Sequence, residues 1–428
     1  MSSPSPLRPI RAAVLCVIGL LLASGCRPKS EAPVRTGAEV LAENGFDAVD
    51  GERVGLIVNH TARVDTVHLI DRIDRAPNVT LGALFGPEHG LRGTAGAGEK
   101  LEDGRDTRTG APVYSLYDDS LRPTPAELDG LDVLVFDVQD VGARFYTYIT
   151  TMGLAMQAAA EADLRFVVLD RPNPLGGNYV SGFTLEPEHK SFVGRYPIPI
   201  AHGLTVGELA RLIKGEKLLS GLQNLDLTVV SMKNWTRDDQ WPDTKREWIP
   251  PSPNLPTWET ALVYPGMCFF EGVRVNEGRG TDHPFLQIGF PWEEETVSTV
   301  RDTLQARNLP GVLFDRTAIL PESRPQAAPS PRFKGKMLHG IRLDVNDQKH
   351  RTFRPVEFGI HALHAAYQQA QAVGDTAFVS RPAHLTRLAG TDRLLTLLRQ
   401  GASPDSIIGS WQQEVATFRK QREPYLLY

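Results

Sequence analysis

The stretch VLVFDVQD, residues 133–140, decides the fold class. Its first four residues are all apolar, which is typical of a strand covered on both faces of a parallel sheet. Three further runs have the same form: VGLIV at 54–58, VTLGALF at 79–85 and FVVL at 166–169. Segments with helical spacing separate these runs. The alternation predicts an α/β domain that is Rossmann-like, with a doubly wound, mostly parallel sheet.

The whole chain of 428 residues is long enough for about two domains. We expect the Rossmann-like N-terminal domain over residues 37–262 and a smaller α+β C-terminal domain over 263–428. Between 235 and 280 several Trp and Pro residues indicate ordered, loop-rich structure, since disorder depletes aromatic residues. The helices predicted in the last part of the chain cover 356–371, 392–400 and 404–422.

The first 26 residues have the pattern of an export signal. Arg8 and Arg11 precede a short apolar run, and small residues follow up to Cys26. This pattern predicts a lipoprotein signal peptide over 1–26, a lipid on Cys26 and a short tether over 27–36. Ala23 stands where Leu is more usual in such signals, so a plain secretory signal cleaved nearby is the alternative. Either way we expect an exported protein; with Cys26 lipidated it is held at a bacterial membrane by the lipid anchor only.

Composition and charge limit the partners. The chain has 46 basic and 51 acidic residues without basic blocks, which argues against nucleic acid. Loss of Arg8 and Arg11 with the signal moves the net charge from -5 to -7. Of three cysteines, only Cys268 would remain available after cleavage and lipidation, so no internal disulfide is expected.

Polar clusters follow four of the predicted strands. Because parallel strands bring their carboxyl ends to one edge of a sheet, these clusters predict a site at that edge. The candidate residues are Asn59 and His60; Glu88 and His89; Asp137, Gln139 and Asp140, with Arg144; and Asp170, Arg171 and Asn173.

Several familiar sites are absent from the sequence. Residues 93–100 approach a phosphate-binding loop, but Glu99 stands where Lys is needed. There is no G-x-G-x-x-G after the first strand and no G-x-S-x-G elbow. His60, His89, His202 and His283 lack the spacing of known metal motifs, although a metal site remains an alternative. We expect no cofactor.

Carboxylate chemistry fits the candidates better. Cleavage of a glycosidic bond needs a protonated carboxyl for the leaving oxygen and a second group at the oxocarbenium-like centre. Glu88, after an apolar strand, is the candidate acid. Glu271 and Glu277 are candidates for the second group, and the alternative for Glu277 is a surface ion pair with Arg279 or Arg274. Tyr146 is suited to stacking on a sugar, but a position in the core explains it better.

Eight motifs carry a family resemblance. They are GPEHG at 86–90, DVQDVGARFYTY at 137–148, DRPNPLGG at 170–177, HGLT at 202–205, PSPNLP at 251–256, FEG at 270–272, EGRGT at 277–281 and REPY at 422–425. In this order they resemble the NamZ-type exo-β-N-acetylmuramidases, and the resemblance extends from about residue 37 to the end of the chain.

The resemblance implies hydrolysis of the β-linkage that releases N-acetylmuramic acid from the non-reducing end of peptidoglycan fragments. It implies a site in the cleft between a Rossmann-like domain and an ancillary domain, with Glu88 as the essential acid. Polar residues of the other motifs, His202 and Asn254 among them, carry over as site lining. The lactyl carboxylate of the sugar needs a cation, for which Arg144, Arg171 and Arg279 are candidates.

Two alternatives remain at this stage. The same cleft would serve a cell-wall sugar-binding lipoprotein without turnover, and a metal-dependent hydrolase would also use polar strand ends. Release of sugar from a chromogenic substrate separates the first alternative from the enzyme, and sensitivity to a chelator separates the second.

Overall fold

A computed structural model describes residue 1 and residues 32–88, 90–91, 104–117, 120–345 and 350–428. Pro33–Tyr428 forms one compact unit. The predicted signal peptide, Cys26 and His89 lie outside the described residues. No helix in the described part of the chain is both long and apolar enough to cross a membrane.

The described residues contain fourteen strands, of which the longest are in the C-terminal part. Their bounds are β1 Arg53–Val58, β2 Arg63–Val64, β3 Val67–His68, β4 Thr80–Gly86, β5 Gly104–Arg105, β6 Pro112–Ser115, β7 Val133–Asp137, β8 Arg165–Leu169, β9 Ser181–Thr184, β10 Pro199–Ala201, β11 Leu227–Val230, β12 Gln287–Phe290, β13 Val312–Ile319 and β14 Leu338–Val345.

The same described ranges contain twelve α-helices, the first of which precedes β1. Their bounds are α1 Gly37–Glu43, α2 Leu69–Ile73, α3 Pro125–Leu128, α4 Tyr148–Glu161, α5 Val206–Gly215, α6 Trp258–Met267, α7 Glu294–Ala306, α8 Pro355–Ala372, α9 Pro382–Ala389, α10 Arg393–Arg399, α11 Pro404–Gly409 and α12 Gln412–Arg422.

The main sheet has the order β11-β8-β7-β1-β4-β6-β5. All neighbours are parallel except the edge pair β5 and β6. Leaving out the short edge strand β5, the chain order of the six parallel strands across the sheet is 6-5-4-1-2-3. This is the doubly wound order of Rossmann folds, and its switch point lies between β1 and β7. The predicted fold class is confirmed.

Both faces of this sheet are covered, which explains the unbroken apolar strands. Ile57 and Phe136 lie in a core with α4 and α5. Leu56 and Val135 point to the opposite face and pack in a second core with α1 and α2. Because successive side chains alternate between faces, the central positions of each of these strands must all be apolar.

The C-terminal part contains the antiparallel sheet β12-β14-β13, flanked by helices. This agrees with the expected smaller α+β domain. The predicted boundary between residues 262 and 263 falls inside α6 and stays a prediction. The stretch 235–280 also holds more helix than the predicted loops, since α6 starts after a capping box at Thr257.

Two local predictions are wrong. The helix expected over 404–422 is divided into α11 and α12, because Trp411 turns inward and its ring packs on Phe183 with centroids 4.9 Å apart. The end of the expected flexible tether is packed instead: Val34 is buried and forms a small core with Met232 and Trp235.

Candidate active site

Glu88 lies in the turn that follows β4, at the carboxyl edge of the main sheet. Its side chain is half-buried, and its Oε2 accepts a hydrogen bond from the hydroxyl of Thr147 at 3.1 Å. Its backbone carbonyl lies 3.2 Å from the hydroxyl of Tyr148 at the start of α4. Within the described residues no Lys, Arg or His forms an ion pair with Glu88. Its predicted neighbour in the site, His89, lies outside them.

Tyr117 is a second neighbour of Glu88 that the sequence reasoning missed. Burial raises the pKa of Tyr117 to about 12, helped by the charge of Glu88 and by a hydrogen bond between the two side chains. Tyr117 follows β6, which ends at Ser115. The sequence does place a polar residue, Tyr117, shortly after the run PVYS, as at the other strand ends. Pro112 makes that run resemble a turn, so it was not predicted as a strand.

Asn59 supports the Tyr148 hydroxyl from the end of β1. Its Nδ2 donates to Tyr148 at 3.2 Å, while its Oδ1 accepts from the backbone N–H and the hydroxyl of Thr61 at 3.0 and 2.6 Å. The Tyr148 hydroxyl also lies 2.9 Å from the carbonyl oxygen of Pro251. Asn59 is thus fully engaged in fixing the wall of the site.

The Pro-rich segment around residue 250 crosses the strand ends. His60 Nε2 lies 2.6 Å from the carbonyl oxygen of Pro250. Further along, the side-chain amide of Asn254 donates to the carbonyl oxygen of Ala327 at 2.6 Å. His60 and Asn254 therefore hold this segment against both parts of the chain.

Tyr146 is a core residue that packs against two other tyrosines. It is buried, and its ring meets those of Tyr148 and Tyr264 edge-on at 5.0 and 6.0 Å. Burial raises its pKa well above the usual value, with contributions from the neighbouring tyrosines and from the charges of Glu88 and Asp140. The structure thus brings three of the predicted site residues, Glu88, Asp140 and Tyr146, into one neighbourhood.

Asp140 faces a buried histidine. Its Oδ2 accepts the backbone N–H of Gly142 at 2.7 Å and lies 3.6 Å from Nε2 of His202. His202 Nδ1 accepts the N–H of Leu204 at 3.2 Å, so the proton of the neutral ring belongs on Nε2, toward Asp140. Gly142 has a φ of +76°, and a Cβ there would meet Asn173 Oδ1 at 2.3 Å. The side-chain amide of Asn173 donates to the carbonyl oxygen of Leu204, two residues before α5, at 3.0 Å.

Asp137, Gln139 and Arg171 form a separate group near the switch point. The Arg171 Nε binds Oδ1 of Asp137 at 2.5 Å, and its Nη2 donates to the carbonyl oxygen of Thr61 at 3.0 Å. Gln139 Nε2 donates to the carbonyl oxygens of Asp140 and Pro172 at 2.7 and 2.8 Å. These contacts fix three consecutive strand ends to one another.

The Asp170 carboxylate is used to hold neighbouring parts of the chain together. Its two oxygens accept four hydrogen bonds of 2.7–2.9 Å, from the N–H groups of Arg171 and Gly207 and the hydroxyls of Thr205 and Tyr428. Burial raises the pKa of Asp170 to about 6, although these donors oppose the shift. The carboxylate holds the start of α5 and the last residue of the chain.

Arg144 connects the two parts of the chain. Its Nη1 donates to the carbonyl oxygens of Phe183 and Ile198, and its Nη2 to those of Leu388 and Ala389, all within 2.6–2.9 Å. Burial lowers the pKa of Arg144 to about 9. These four carbonyls account for the buried guanidinium without a substrate carboxylate.

A second group of carboxylates lies in the C-terminal part. Arg279 binds Oε1 of Glu271 through Nη2 at 2.8 Å and Oε1 of Glu277 through Nε at 3.2 Å. His384, another residue that the sequence reasoning missed, lies 3.1 Å from the other oxygen of Glu271. The predicted alternative for Glu277, an ion pair with Arg279, is therefore present, but with Glu277 buried rather than at the surface. Arg274 instead pairs with Asp375 at 2.6 Å.

The environments of Glu271 and Glu277 shift the pKa values of the two side chains in opposite directions. Burial would raise the pKa of Glu271, but Arg279 and His384 bring it down to about 2. Burial raises the pKa of Glu277 with only partial compensation by Arg279, and the nearby Glu271 adds to the rise. Glu277 Oε2 has no hydrogen-bond partner within the described residues. Such divergence within a pair of carboxyl groups is typical of acid–base sites.

Aromatic rings connect this group with the surroundings of Glu88. Tyr264 contacts Tyr146 on one side and Phe285 on the other, with ring centroids 6.0 and 5.1 Å apart. The Arg279 guanidinium lies 5.0 Å from the centroid of the Phe285 ring. In the described part of the chain, no cluster of three or more His, Cys, Asp or Glu residues is arranged to hold a metal ion.

Family models match nearly the whole described chain. The N-terminal model of the exo-β-N-acetylmuramidase NamZ matches residues 54–259, and the C-terminal model matches 262–428. The peptidoglycan β-N-acetylmuramidase NamZ of Bacillus subtilis (strain 168) is 41% identical over 425 residues, which cover 97% of either chain.

Two crystal structures from Bacteroides fragilis NCTC 9343 have a similar fold, both of proteins in a family of the designation DUF1343. One, at 1.65 Å, has a TM-score of 0.83 and 36% identity, and the match covers 93% of this chain and 100% of that one. The other, at 1.30 Å, has a TM-score of 0.74 and 35% identity, with coverages of 93% and 99%.

Proposed function

This chain belongs to the NamZ family of exo-β-N-acetylmuramidases, and we propose that it releases N-acetylmuramic acid from the non-reducing end of peptidoglycan fragments. The Bacillus subtilis relative, which acts on peptidoglycan as a β-N-acetylmuramidase, matches along almost its entire length. The chain is accordingly a glycoside hydrolase. The family resemblance of the sequence motifs is confirmed by these matches.

The observation that carries the choice of reaction centre is the position of Glu88. This carboxyl is half-buried at the carboxyl edge of the sheet, bonded by the hydroxyls of Thr147 and Tyr117 and not paired with a cation in the described residues. A carboxyl group that is held in place without a fixed counter-charge is able to take up and release a proton. We assign it the proton transfer to the leaving oxygen.

Glu277 is our candidate for the second group. It combines an unpartnered oxygen with a raised pKa, which makes it the stronger base, whereas Arg279 and His384 occupy both oxygens of Glu271 and lower its pKa. In glycoside hydrolysis one carboxyl protonates the departing oxygen, and the second captures the sugar carbon or takes a proton from the attacking water. Water then supplies the hydroxyl of the released sugar, and both carboxyl groups return to their starting state.

We propose that the protein is exported and lipidated on Cys26. The basic start, the apolar run and the small residues before Cys26 support this, and the substrate lies outside the cytoplasm. Expressed in a bacterial host, the full chain should fractionate with membranes, and a Cys26→Ala variant should be found in the soluble extracytoplasmic fraction. An unchanged distribution of the variant would remove the lipid from the proposal.

A chromogenic β-N-acetylmuramide tests the activity directly. The purified protein should release the chromogen and should liberate free N-acetylmuramic acid from glycan fragments that carry this sugar at the non-reducing end. Fragments that end in N-acetylglucosamine should not be cut. Binding of the substrate without any release would favour the sugar-binding alternative, and loss of activity with a chelator would favour a metal-dependent hydrolase.

A further inference from the structure

The three arginines that the sequence offers for the lactyl carboxylate are already engaged. Arg144 binds four backbone carbonyls. Arg171 is neutralised by the buried Asp137, and Arg279 binds two carboxylates. A carboxylate that leaves water needs a charged partner in the site. The proposed function therefore requires a further cation near the reaction centre.

Arg195 is a cation without a partner. Its side chain is half-buried, and its Nε is buried without a hydrogen-bond acceptor. Within the described residues its guanidinium forms no ion pair and no hydrogen bond. Of the acidic residues that precede it, Glu186 pairs with Arg393 at 3.2 Å, and Glu188 is exposed. A half-buried guanidinium without an acceptor is costly unless a ligand supplies one.

A tight turn just before Arg195 reaches the surroundings of the proposed acid. Ser191 and Gly194 exchange two backbone hydrogen bonds of 2.8 and 3.2 Å, which places Phe192 at the tip of the turn. The Phe192 ring lies 6.1 Å, between centroids, from the ring of Tyr117. Tyr117 is the residue whose hydroxyl is hydrogen-bonded to the catalytic carboxyl. The turn therefore lies beside the reaction centre.

The residue after Arg195 gives an independent placement. The hydroxyl of Tyr196 donates to the carbonyl oxygen of Ile149, in the first turn of α4, at 3.2 Å. Burial raises the pKa of Tyr196, and the nearby charge of Arg195 opposes this rise. Thr147, which donates to Glu88, directly precedes the same helix. The charge of Arg195 is therefore close to the end of α4 that holds the proposed acid.

Given the proposed function, on which this assignment rests, we propose that Arg195 binds the lactyl carboxylate of the N-acetylmuramic acid residue that is cleaved off. A planar guanidinium matches the two oxygens of a carboxylate. Because the lactyl ether belongs to the same sugar ring as the bond that is cleaved, this contact also positions the ring against Glu88. Arg195 is thus a specificity-determining residue that takes no part in proton transfer.

The test compares two chromogenic substrates that differ in charge alone. One is the β-N-acetylmuramide with a free lactyl carboxylate, and the other is its neutral carboxamide. For the wild type we expect kcat/KM to be about 10- to 100-fold higher with the acid, as for one charge-assisted contact. In Arg195→Gln the value for the acid should fall to that for the amide, which should hardly change. Arg195→Lys should restore part of the preference, whereas a merely structural defect would lower both values alike.

Arg342 offers a matched control. It is half-buried on β14 and its Nε also lacks an acceptor, but its cross-strand neighbour on β13 is Asp315. Arg342→Gln should keep the wild-type preference for the acid. An active wild type that uses acid and amide equally well overturns the assignment of Arg195. An Arg195→Gln enzyme that keeps the preference overturns it too, and both results leave the proposed function intact.

Binding separates a failure of this assignment from a failure of the proposed function. Titration calorimetry measures the affinities of N-acetylmuramic acid and of its carboxamide without turnover. A wild type that hydrolyses neither chromogenic substrate contradicts the proposed function. If that protein still binds the acid more tightly than the amide, and Arg195→Gln abolishes the difference, Arg195 is a carboxylate site. Equal binding of acid and amide overturns the assignment as well.

Discussion

The hydroxyl of Thr147 donates to Oε2 of Glu88 at 3.1 Å, and so the residue before α4 fixes the orientation of the carboxyl group after β4. This contact allows a clean test of Glu88. A Glu88→Gln change keeps the size of the side chain and an oxygen acceptor for Thr147, but it removes the acidic carboxyl group that can transfer a proton. We expect kcat to fall about 10²- to 10⁴-fold, the usual contribution of a general acid or base.

The fold should not respond to this change, because Glu88 is half-exposed and forms no ion pair in the described residues. Thermal unfolding of Glu88→Gln should match the wild type. Glu295→Gln, the same substitution on an exposed position of α7, serves as the control for activity. A Glu88→Gln enzyme with nearly wild-type kcat would exclude Glu88 from proton transfer.

Tyr117 should influence the proton on Glu88 rather than the binding of sugar alone. Its hydroxyl is hydrogen-bonded to the Glu88 side chain, and such a donor stabilises an ionised carboxylate. In Tyr117→Phe the Glu88 carboxyl group loses one of its hydroxyl donors, and we expect kcat to fall about tenfold with KM nearly unchanged. Tyr114→Phe, three positions earlier, lies in β6 next to the main core and should leave kcat unchanged.

The opposite result is equally informative. If Tyr117→Phe raises KM but leaves kcat unchanged, Tyr117 contacts the sugar and does not act through Glu88. Measurement of kcat and kcat/KM separates the two roles.

The sequence predicts the fold well because its parallel strands are covered on both faces. The first four positions of β7, Val133 to Phe136, must then be apolar, and the pattern is unambiguous in a single sequence. The C-terminal helices are harder to predict from the sequence, because α11 ends shortly before Trp411 and α12 begins directly after it. Its inward position depends on Phe183, more than 200 residues earlier in the chain.

The candidate site is only partly readable from the sequence. The polar ends of the strands predict the correct edge, but a polar side chain there either faces a ligand or holds backbone, and the local sequence is the same in both cases. Asp170 binds Tyr428, and Arg144 binds carbonyls near residue 388. Contacts with partners so far away in the chain become visible only in the folded structure. The roles of the remaining predicted residues stay predictions.

Substitution of Glu271 should mainly lower stability, whereas substitution of Glu277 should mainly lower activity. Glu271→Gln removes a buried charge that Arg279 and His384 both bind, and it should lower the free energy of unfolding by about 2–4 kcal/mol at pH 7. Glu277→Gln keeps that pairing and removes a carboxyl whose pKa is already raised. We expect it to be close to wild type in stability.

Turnover per folded molecule should show the reverse order. Glu277→Gln, the more stable variant, should be the one with the lower kcat. Glu277→Gln should lose at least about 100-fold in kcat if Glu277 is the second catalytic group. Urea unfolding measures the first quantity and hydrolysis of the chromogenic substrate the second. A Glu277→Gln enzyme with unchanged kcat would leave Glu277 a structural residue of the arginine cluster.

Asp170 should make stability depend on pH between about 4 and 6. Its pKa is about 6 in the folded chain against an ordinary 3.8, so in this window the folded chain holds a proton that the unfolded chain has released. Its contribution to stability is therefore greatest below pH 4 and is lost as the pH rises through 6, by about 3 kcal/mol. Above pH 6 it is constant.

Asp170→Asn removes this titration. The difference in unfolding free energy between wild type and variant should shift in favour of the variant from pH 4 to 6 and stay flat from 6 to 8, as measured by urea unfolding. The exposed Asp74→Asn should show no such trend. Parallel curves for wild type and Asp170→Asn would contradict the raised pKa.

Arg144 should prove to be a structural connection between the two parts of the chain rather than the cation for the lactyl carboxylate. Its two terminal nitrogens serve four carbonyl oxygens, two near β9 and β10 and two at the end of α9. Arg144→Lys retains the charge, but a single ammonium group cannot reach all four carbonyls. Each buried carbonyl left unpaired costs about 1–3 kcal/mol, so we expect a loss of about 2–4 kcal/mol in unfolding free energy, with KM unchanged in the folded enzyme. Arg72→Lys, at a partly exposed ion pair, should cost less than about 1 kcal/mol. A large rise in KM with wild-type stability would instead return Arg144 to the substrate.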